Sequence, residues 1–297
     1  MVKLGLIYNQ LNTLDFKILE AIEKNILKYE YVPLEIIEKL TKTPDVKINL
    51  EIDKLHKLKL VRIKRVSERV FVRLTYIGFD MLALHNLVSR NIIKAIGDRI
   101  GVGKESDTYE VLTIDGSRAI AKFLRLGRTS FKRTKIKRDW IDDPRYTWFI
   151  QSKIAAQREF IALREVWSVG GYVPYPIAYS KHLVLIEYID GVELRNKPYL
   201  ENPITVFKQV IDTVKLAYLN IGIVHGDLSE YNVMVTNDGR KAYIIDWPQY
   251  VYKNDPVADE LLKRDVMYIS SFFRKNYGLD VDFNRVLAYV KGESIDF

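Results

Sequence analysis

Asp227, Asn232 and Asp246 are the residues of this 297-residue chain whose types and spacing point most directly to chemistry. The first two lie in the run His225-Gly226-Asp227-Leu228-Ser229-Glu230-Tyr231-Asn232, and the third closes Ile244-Ile245-Asp246. A carboxylate, a carboxamide five residues later and a second carboxylate at a strand end can hold divalent metal on a nucleotide's phosphates and aim a hydroxyl at the terminal one. Asp227 is placed to accept or orient the proton of that hydroxyl. Asn232 and Asp246 would hold Mg2+ or Mn2+ through hard oxygen ligands. An Asp-x4-Asn spacing alone is most often a turn fixed by Asx hydrogen bonds. His225, Asp246 and the flanking strands turn the reading toward ATP and its γ-phosphate.

Such residues need elements that present a nucleotide to them. Gly101, Gly103, Lys104 and Ser106 occupy a glycine-bearing turn between two predicted strands, where backbone N–H groups could cover phosphates and Ser106 could offer its hydroxyl. Asp115-Gly116 predicts a hairpin turn, and Ala119 to Leu124 a third strand carrying Lys122. An unpaired ammonium inside an apolar strand is costly. Lys122 is therefore read as pairing with the α/β-phosphates and with a carboxylate of the helix Gln151 to Trp167. Glu159, flanked by Ala155, Ala156 and Phe160, is favoured over Glu165. Backbone groups of Glu187 and Ile189, after a buried strand from His182, could read the adenine edge. Asp265 could hydrogen-bond the catalytic-loop backbone, or form a surface salt bridge with Lys263 or Arg264.

The remaining chain supplies context. Thr13 as N-cap, then Leu14, Ile18, Leu19, Ile22 and Ile26, predict a first helix; Pro33 opens a second and Thr43-Pro44 a third, with Ile48, Ile52, Leu55 and Leu58 on one face. Leu60 to Val66 and Val70 to Leu74 predict two strands around Ser67-Glu68-Arg69, and a fourth helix follows from Thr75 to about Ser89. Three helices and a β-hairpin wing make a winged helix-turn-helix. The third helix and wing carry Lys47, Lys54, His56, Lys57, Lys59, Arg62, Lys64, Arg65 and Arg69, which suit phosphate contacts, although Glu51 and Asp53 interrupt the face. Residues 125–150 predict a mobile loop, with Arg125, Arg128, Lys132, Arg133, Lys135, Lys137 and Arg138 beside the hydroxyls of Thr129, Ser130 and Thr134. Pro174 to Ser180 reads as a connector. A helix over Asn202 to Asn220, short strands at Val233 to Val235 and Tyr243 to Ile245, and helices at about 257–276 and 282–291 complete the chain.

The fold class is α/β in the α+β sense: a winged helix-turn-helix domain over 1–90, then a truncated bilobal kinase-like fold over 91–297, with lobes of about 91–189 and 190–297. The chain has no cysteine, which excludes disulfides and thiolate chemistry, and a formal net charge of +8, which favours polyanionic partners. No apolar run of about 18 residues suggests a membrane span, and nothing at the amino terminus reads as a signal peptide. A cytoplasmic monomer is expected.

Together these residues resemble the RIO family of atypical protein kinases, in its second, winged-helix subfamily. The resemblance is carried by Ile100 to Asp107, Ala121-Lys122-Phe123, His225 to Asn232, Ile245-Asp246-Trp247 and Leu261 to Val266, and it covers nearly the whole chain. It implies Mg-dependent ATP binding, serine autophosphorylation with Ser130 as a candidate site, and a phosphate-accepting role for the metal aspartate, here Asp246. It further implies action in small-ribosomal-subunit maturation, with the pre-small-subunit particle, ribosomal RNA and ribosomal proteins as partners of the winged helix and basic loop. A chain of this length looks archaeal. Departures from ordinary protein kinases are Gly226 in place of an arginine, Ser229 in place of the catalytic-loop lysine, and Trp247-Pro248 after the metal aspartate. No Ala-Pro-Glu segment follows, so self-phosphorylation or ATPase switching is expected above broad trans-phosphorylation. Two other readings are a small-molecule phosphotransferase of the aminoglycoside-kinase type and a nucleic-acid-binding regulator with a nucleotide-sensing lobe.

Overall fold

A computed structural model describes residues 3–126 and 148–297. The chain divides into two compact units, Met1–Lys153 with Tyr179–Leu183, and Ile154–Ala178 with Val184–Phe297. No helix among the described residues is long and apolar enough to cross a membrane.

The first unit begins with α1 (Leu4–Tyr8), α2 (Thr13–Lys24), β1 (Val32–Pro33), α3 (Leu34–Thr41) and α4 (Asp45–Lys57), followed by β2 (Val61–Val66), β3 (Arg69–Leu74) and α5 (Tyr76–Ser89). Strand order β1-β3-β2, antiparallel, makes the wing of a winged helix. Ile18, Leu19, Ile37, Ile48, Ile52 and Leu55 are fully buried, as their helical spacing requires. Local details depart from the sequence reading. The cap of α2 is Asn12, not Thr13: Asn12 Oδ1 accepts from Leu14 and Asp15 N–H (2.8 and 3.0 Å), and Asp15 Oδ2 accepts from Asn12 N–H (2.7 Å). The wing turn narrows to Ser67-Glu68, because Ser67 adopts φ +52 and Arg69 pairs with Val66. Lys54 is not free for a phosphate, since it donates to buried Asp15 at 2.5 Å.

The same unit continues into the antiparallel strands β4 (Ile93–Val102), β5 (Ser106–Thr113) and β6 (Arg118–Leu124). Arg125 does not belong to an exposed basic loop. It is 2% exposed, with Nη2 on Asp80 (2.6 Å) and Nε on Asp107 (3.2 Å). His182 Nε2 lies 2.8 Å from the other Asp80 oxygen. Burial alone would raise the Asp80 carboxyl, but Arg125 and His182 outweigh it and hold it below its ordinary value. The rest of the basic segment, including Ser130, lies outside the described residues.

Helix α6 (Trp148–Ser168) starts three residues earlier than its periodicity suggested, and its opening aromatic residues stack in the first unit, Phe149 on Phe79 at 3.5 Å between ring centroids. Pro176–Ser180, read as a connector, is strand β7; β8 (Leu183–Glu187) follows, and Glu187 N–H donates to Tyr175 O at 2.9 Å. The second unit then holds β9 (Gly191–Glu193), α7 (Pro203–Leu216), β10 (Ile223–Val224), β11 (Val233–Thr236), β12 (Ala242–Ile244), β13 (Val251–Tyr252), α8 (Ala258–Tyr277) and α9 (Phe283–Lys291). A three-stranded sheet of order β12-β11-β9 and the pair β10-β13 pack with these helices around Phe207, Ile244, Trp247, Val266 and Phe273, all fully buried.

Candidate active site

Strand register explains why Asn232 and Asp246 share one end of a hairpin. β11 and β12 pair antiparallel with Val233 opposite Ile244. Asn232 therefore precedes one strand where Ile245 follows the other, and Ile245 N–H donates to Asn232 O at 2.9 Å. Asn232 Nδ2 donates to Asp227 O at 2.8 Å, while its Oδ1 accepts no hydrogen bond among the described residues. Asp246 holds φ +66, a left-handed conformation uncommon outside glycine, asparagine and aspartate. Such backbone states concentrate where a side chain must be aimed.

The segment around Asp227 is held from three sides. His225 is buried; its Nδ1 accepts from Asp227 N–H (3.2 Å), which leaves Nε2–H to donate to Ile245 O (3.0 Å). The imidazole thus bridges the Asp227 loop to the strand end before Asp246. Asp265, 1% exposed on α8, accepts from Gly226 N–H (2.8 Å) and Leu228 N–H (3.1 Å), gripping the amides on both sides of Asp227. Arg264 donates to Gly226 O and stands 3.7 Å from the Asp265 carboxylate. Burial pushes the Asp265 carboxyl up to about 7, against the pull of the Gly226 amide, Arg264 and the Leu228 amide. Gly226 has φ +78, and a Cβ there would stand 3.1 Å from Gln249 O. The arginine of ordinary kinases does not fit this backbone.

Two residues escaped the sequence reading. Arg158 Nε donates to Pro248 O (3.1 Å), and its other end donates to Tyr250 O, with the guanidinium 4.1 Å from the Tyr250 ring centroid. It secures the segment immediately after Asp246. Arg264, read only as a partner for Asp265, also bonds the loop itself. Their backbone acceptors lie far off in sequence, and no spacing signals them.

The other expected residues are placed as follows. Gly101, Gly103, Lys104, Ser106 and Lys122 belong to the first unit. Gly103 N–H closes the turn onto Ser106 O at 2.7 Å, and a Cβ on Gly101 would meet Thr108 Oγ1 at 2.5 Å. Lys122 is 9% exposed in β6, opposite Thr108. Glu159, in the second unit, is 1% exposed, whereas Glu165 is half-buried. Glu187 and Ile189 also belong to the second unit, and the Glu187 N–H is already used by Tyr175 O. The oxygens of Asn232 and Asp246 suit Mg2+, which takes few protein ligands and keeps the rest of its shell for phosphate and water.

A model of the RIO domain matches residues 107–286, and one of the Rio2 amino-terminal domain matches residues 8–90. The RIO-type serine/threonine-protein kinase Rio2 of Methanocaldococcus jannaschii is 36% identical over 280 residues, spanning 88% of this chain and 98% of the relative. The serine/threonine-protein kinase rio2 of Schizosaccharomyces pombe is 35% identical over 266 residues, 89% of this chain and 76% of the relative. Among solved structures, the ADP/Mg2+-phosphoaspartate complex of the Rio2 kinase from Chaetomium thermophilum aligns with TM-score 0.80 at 28% identity, covering 98% of this chain and 93% of that one.

Proposed function

The chain belongs to the RIO family, in its Rio2 branch, and is thereby a serine/threonine kinase that uses ATP and Mg2+; from that premise we propose that it phosphorylates itself, transiently on Asp246 or on a serine, during maturation of the small ribosomal subunit. The observation carrying this reading is the single bonded frame of the second unit. Asp227, Asn232 and Asp246 are joined through Asn232 Nδ2 to Asp227 O, His225 to Ile245 O, and Asp265 to the amides flanking Asp227. Fixed positioning is most of what phosphoryl transfer asks of a protein.

In this reading Lys122 and the turn at Gly101, Gly103, Lys104 and Ser106 bind phosphate oxygens. The Glu187 carbonyl and Ile189 N–H meet the adenine edge, since the Glu187 N–H is occupied. Bound Mg2+, held by Asn232 and Asp246, would neutralise charge on the phosphates. With a serine acceptor, Asp227 takes the hydroxyl proton as oxygen attacks the γ-phosphorus and the bond to the β-phosphate oxygen breaks, releasing ADP. With Asp246 as acceptor, a carboxylate oxygen attacks instead, and water later hydrolyses the acyl phosphate to phosphate and free Asp246. The phosphoaspartate named for the Chaetomium thermophilum relative supports this second course. The exposed wing residues Arg62, Lys64, Arg65 and Arg69 suit ribosomal RNA.

Incubation with γ-labelled ATP and purified small-subunit particles tests the proposal. Acid-labile, hydroxylamine-sensitive label and released phosphate are expected, both lost in Asp246→Asn. Stable label on added protein alone would refute self-phosphorylation. Association with the particle should weaken steeply with salt, as counterion release requires; salt-independent association would refute the wing's role.

A further inference from the structure

A cleft of about 450 Å³ opens in the second unit, lined by residues with no part in the chemistry above. Its lining includes Arg195, Lys197, Tyr231, Tyr268, Phe272 and Lys275. Three cations share it with one carboxylate, Glu230. Tyr231 immediately precedes Asn232, so the cleft adjoins the catalytic loop. Arg195 N–H donates to Glu230 O at 3.0 Å, which ties the turn carrying Arg195 to that loop. The Arg195 guanidinium stands 5.4 Å from the Tyr231 ring centroid, and Glu193 engages its Nε. Tyr268, Phe272 and Lys275 recur at helical spacing on α8 and share a face.

Phe272 packs against the core of the unit and Lys197 caps the short 3-10 turn Leu194–Asn196, whereas the two tyrosines face solvent. Tyr231 is 57% and Tyr268 47% exposed, and neither hydroxyl is hydrogen-bonded among the described residues. Exposed ring faces interleaved with cations are the means by which proteins hold single strands: bases stack on the rings while phosphates follow the positive charge.

We infer that this cleft binds unpaired nucleotides of a single-stranded nucleic acid, with bases on Tyr231 and Tyr268 and phosphates on Arg195, Lys197 and Lys275. An acidic peptide would use the cations but leave both ring faces uncovered. The inference rests on reading the chain as a nucleic-acid-engaged factor, but it concerns a surface other than the wing.

The test uses the full chain and a single-stranded RNA hexamer containing 4-thiouridine. Photocrosslinks should map to Tyr231 or Tyr268. Tyr231→Ala and Tyr268→Ala should each weaken binding roughly 5- to 150-fold, the range for loss of one stacked base. Tyr231→Phe and Tyr268→Phe should restore it, which separates stacking from misfolding. Lys275→Gln should lower the slope of log affinity against log salt by about 0.7. A wing variant with Arg62, Lys64, Arg65 and Arg69 changed to Glu should bind the hexamer as the parent does. If that variant loses particle association but keeps hexamer binding, the wing reading is supported and the cleft stands. If hexamer binding survives both alanine changes, or is lost only in the wing variant, the inference is overturned. It is equally overturned if Lys275→Gln raises KM for an acidic acceptor peptide while hexamer affinity stays unchanged.

Discussion

Asp227 and Asp246 are both carboxylates, yet their surroundings differ. Asp227 is exposed, flanked by two amides that Asp265 grips. Asp246 is half-buried in a left-handed backbone state beside the end of β12. Asp227→Ala should lower turnover by about 10²- to 10⁴-fold, the usual worth of a general base, while Mg·ATP affinity stays within a few-fold. Equal loss of affinity in a calorimetric titration would show that Asp227 binds the metal instead. Gly226→Ala should cost about 1–2 kcal/mol through its positive φ, together with its approach to Gln249 O at 3.1 Å. It should also slow phosphate release from ATP, because the shifted peptide carries the Asp227 amide. Denaturant midpoints and turnover measured side by side would check this; an unchanged midpoint would show that the loop relaxes freely.

At the level of elements, caps and registers decide the outcome. Asn12→Ala should cost about 1 kcal/mol in urea unfolding, whereas Thr13→Ala should cost little, since the bonds at the start of α2 run to Asn12. A larger loss for Thr13→Ala would return the cap to it. This position shows what was legible beforehand. Helices α2 to α5, the wing, β5, β6 and the hairpin around Asn237 to Gly239 carry period-two or period-3.6 patterns, and local patterns determine local structure. The loop His225 to Asn232 was legible because its chemistry is concentrated in eight residues. Arg125 was not: its partners Asp80 and Asp107 are 45 and 18 residues away, and its neighbours in sequence are exposed-loop residues by composition. Arg158 was hidden for the same reason, as its acceptors are backbone oxygens about ninety residues on.

For the molecule as a whole, Asp265 links stability to pH. Its folded carboxyl titrates at about 7 against an ordinary value of 3.8. The folded state therefore holds a proton that the unfolded chain has released, so its contribution is full below pH 3.8 and is lost as pH rises through about 7. Wild type should lose stability relative to Asp265→Asn by up to about 1.4 kcal/mol per pH unit between pH 4 and 7, with a constant difference above. Parallel denaturation curves at pH 5, 6 and 8 measure this; a difference independent of pH would mean that Asp265 is ionised throughout. His182 works in the other direction. Burial lowers its imidazole below 6.5 despite the bond to Asp80, so its contribution is present above pH 6.5 and is lost as pH falls. Between the lowered His182 value and pH 6.5 the two slopes offset one another, so the Asp265 dependence is seen undiminished from pH 6.5 to about 7.

The burial of Arg125 also bears on heredity. Asp80 lies on the last helix of the wing-bearing segment, and Arg125 follows the strand that carries Lys122. A gene break near codon 90 would strand a 2%-exposed guanidinium with one of its two carboxylates and leave His182 without its partner. Severing one side of a buried ion pair costs roughly 3–5 kcal/mol, a large share of what holds an average domain together. The two segments are thus poor candidates for exchange by recombination with unrelated neighbours: a lineage that swapped its winged helix would have to replace Asp80, Arg125 and His182 as a set.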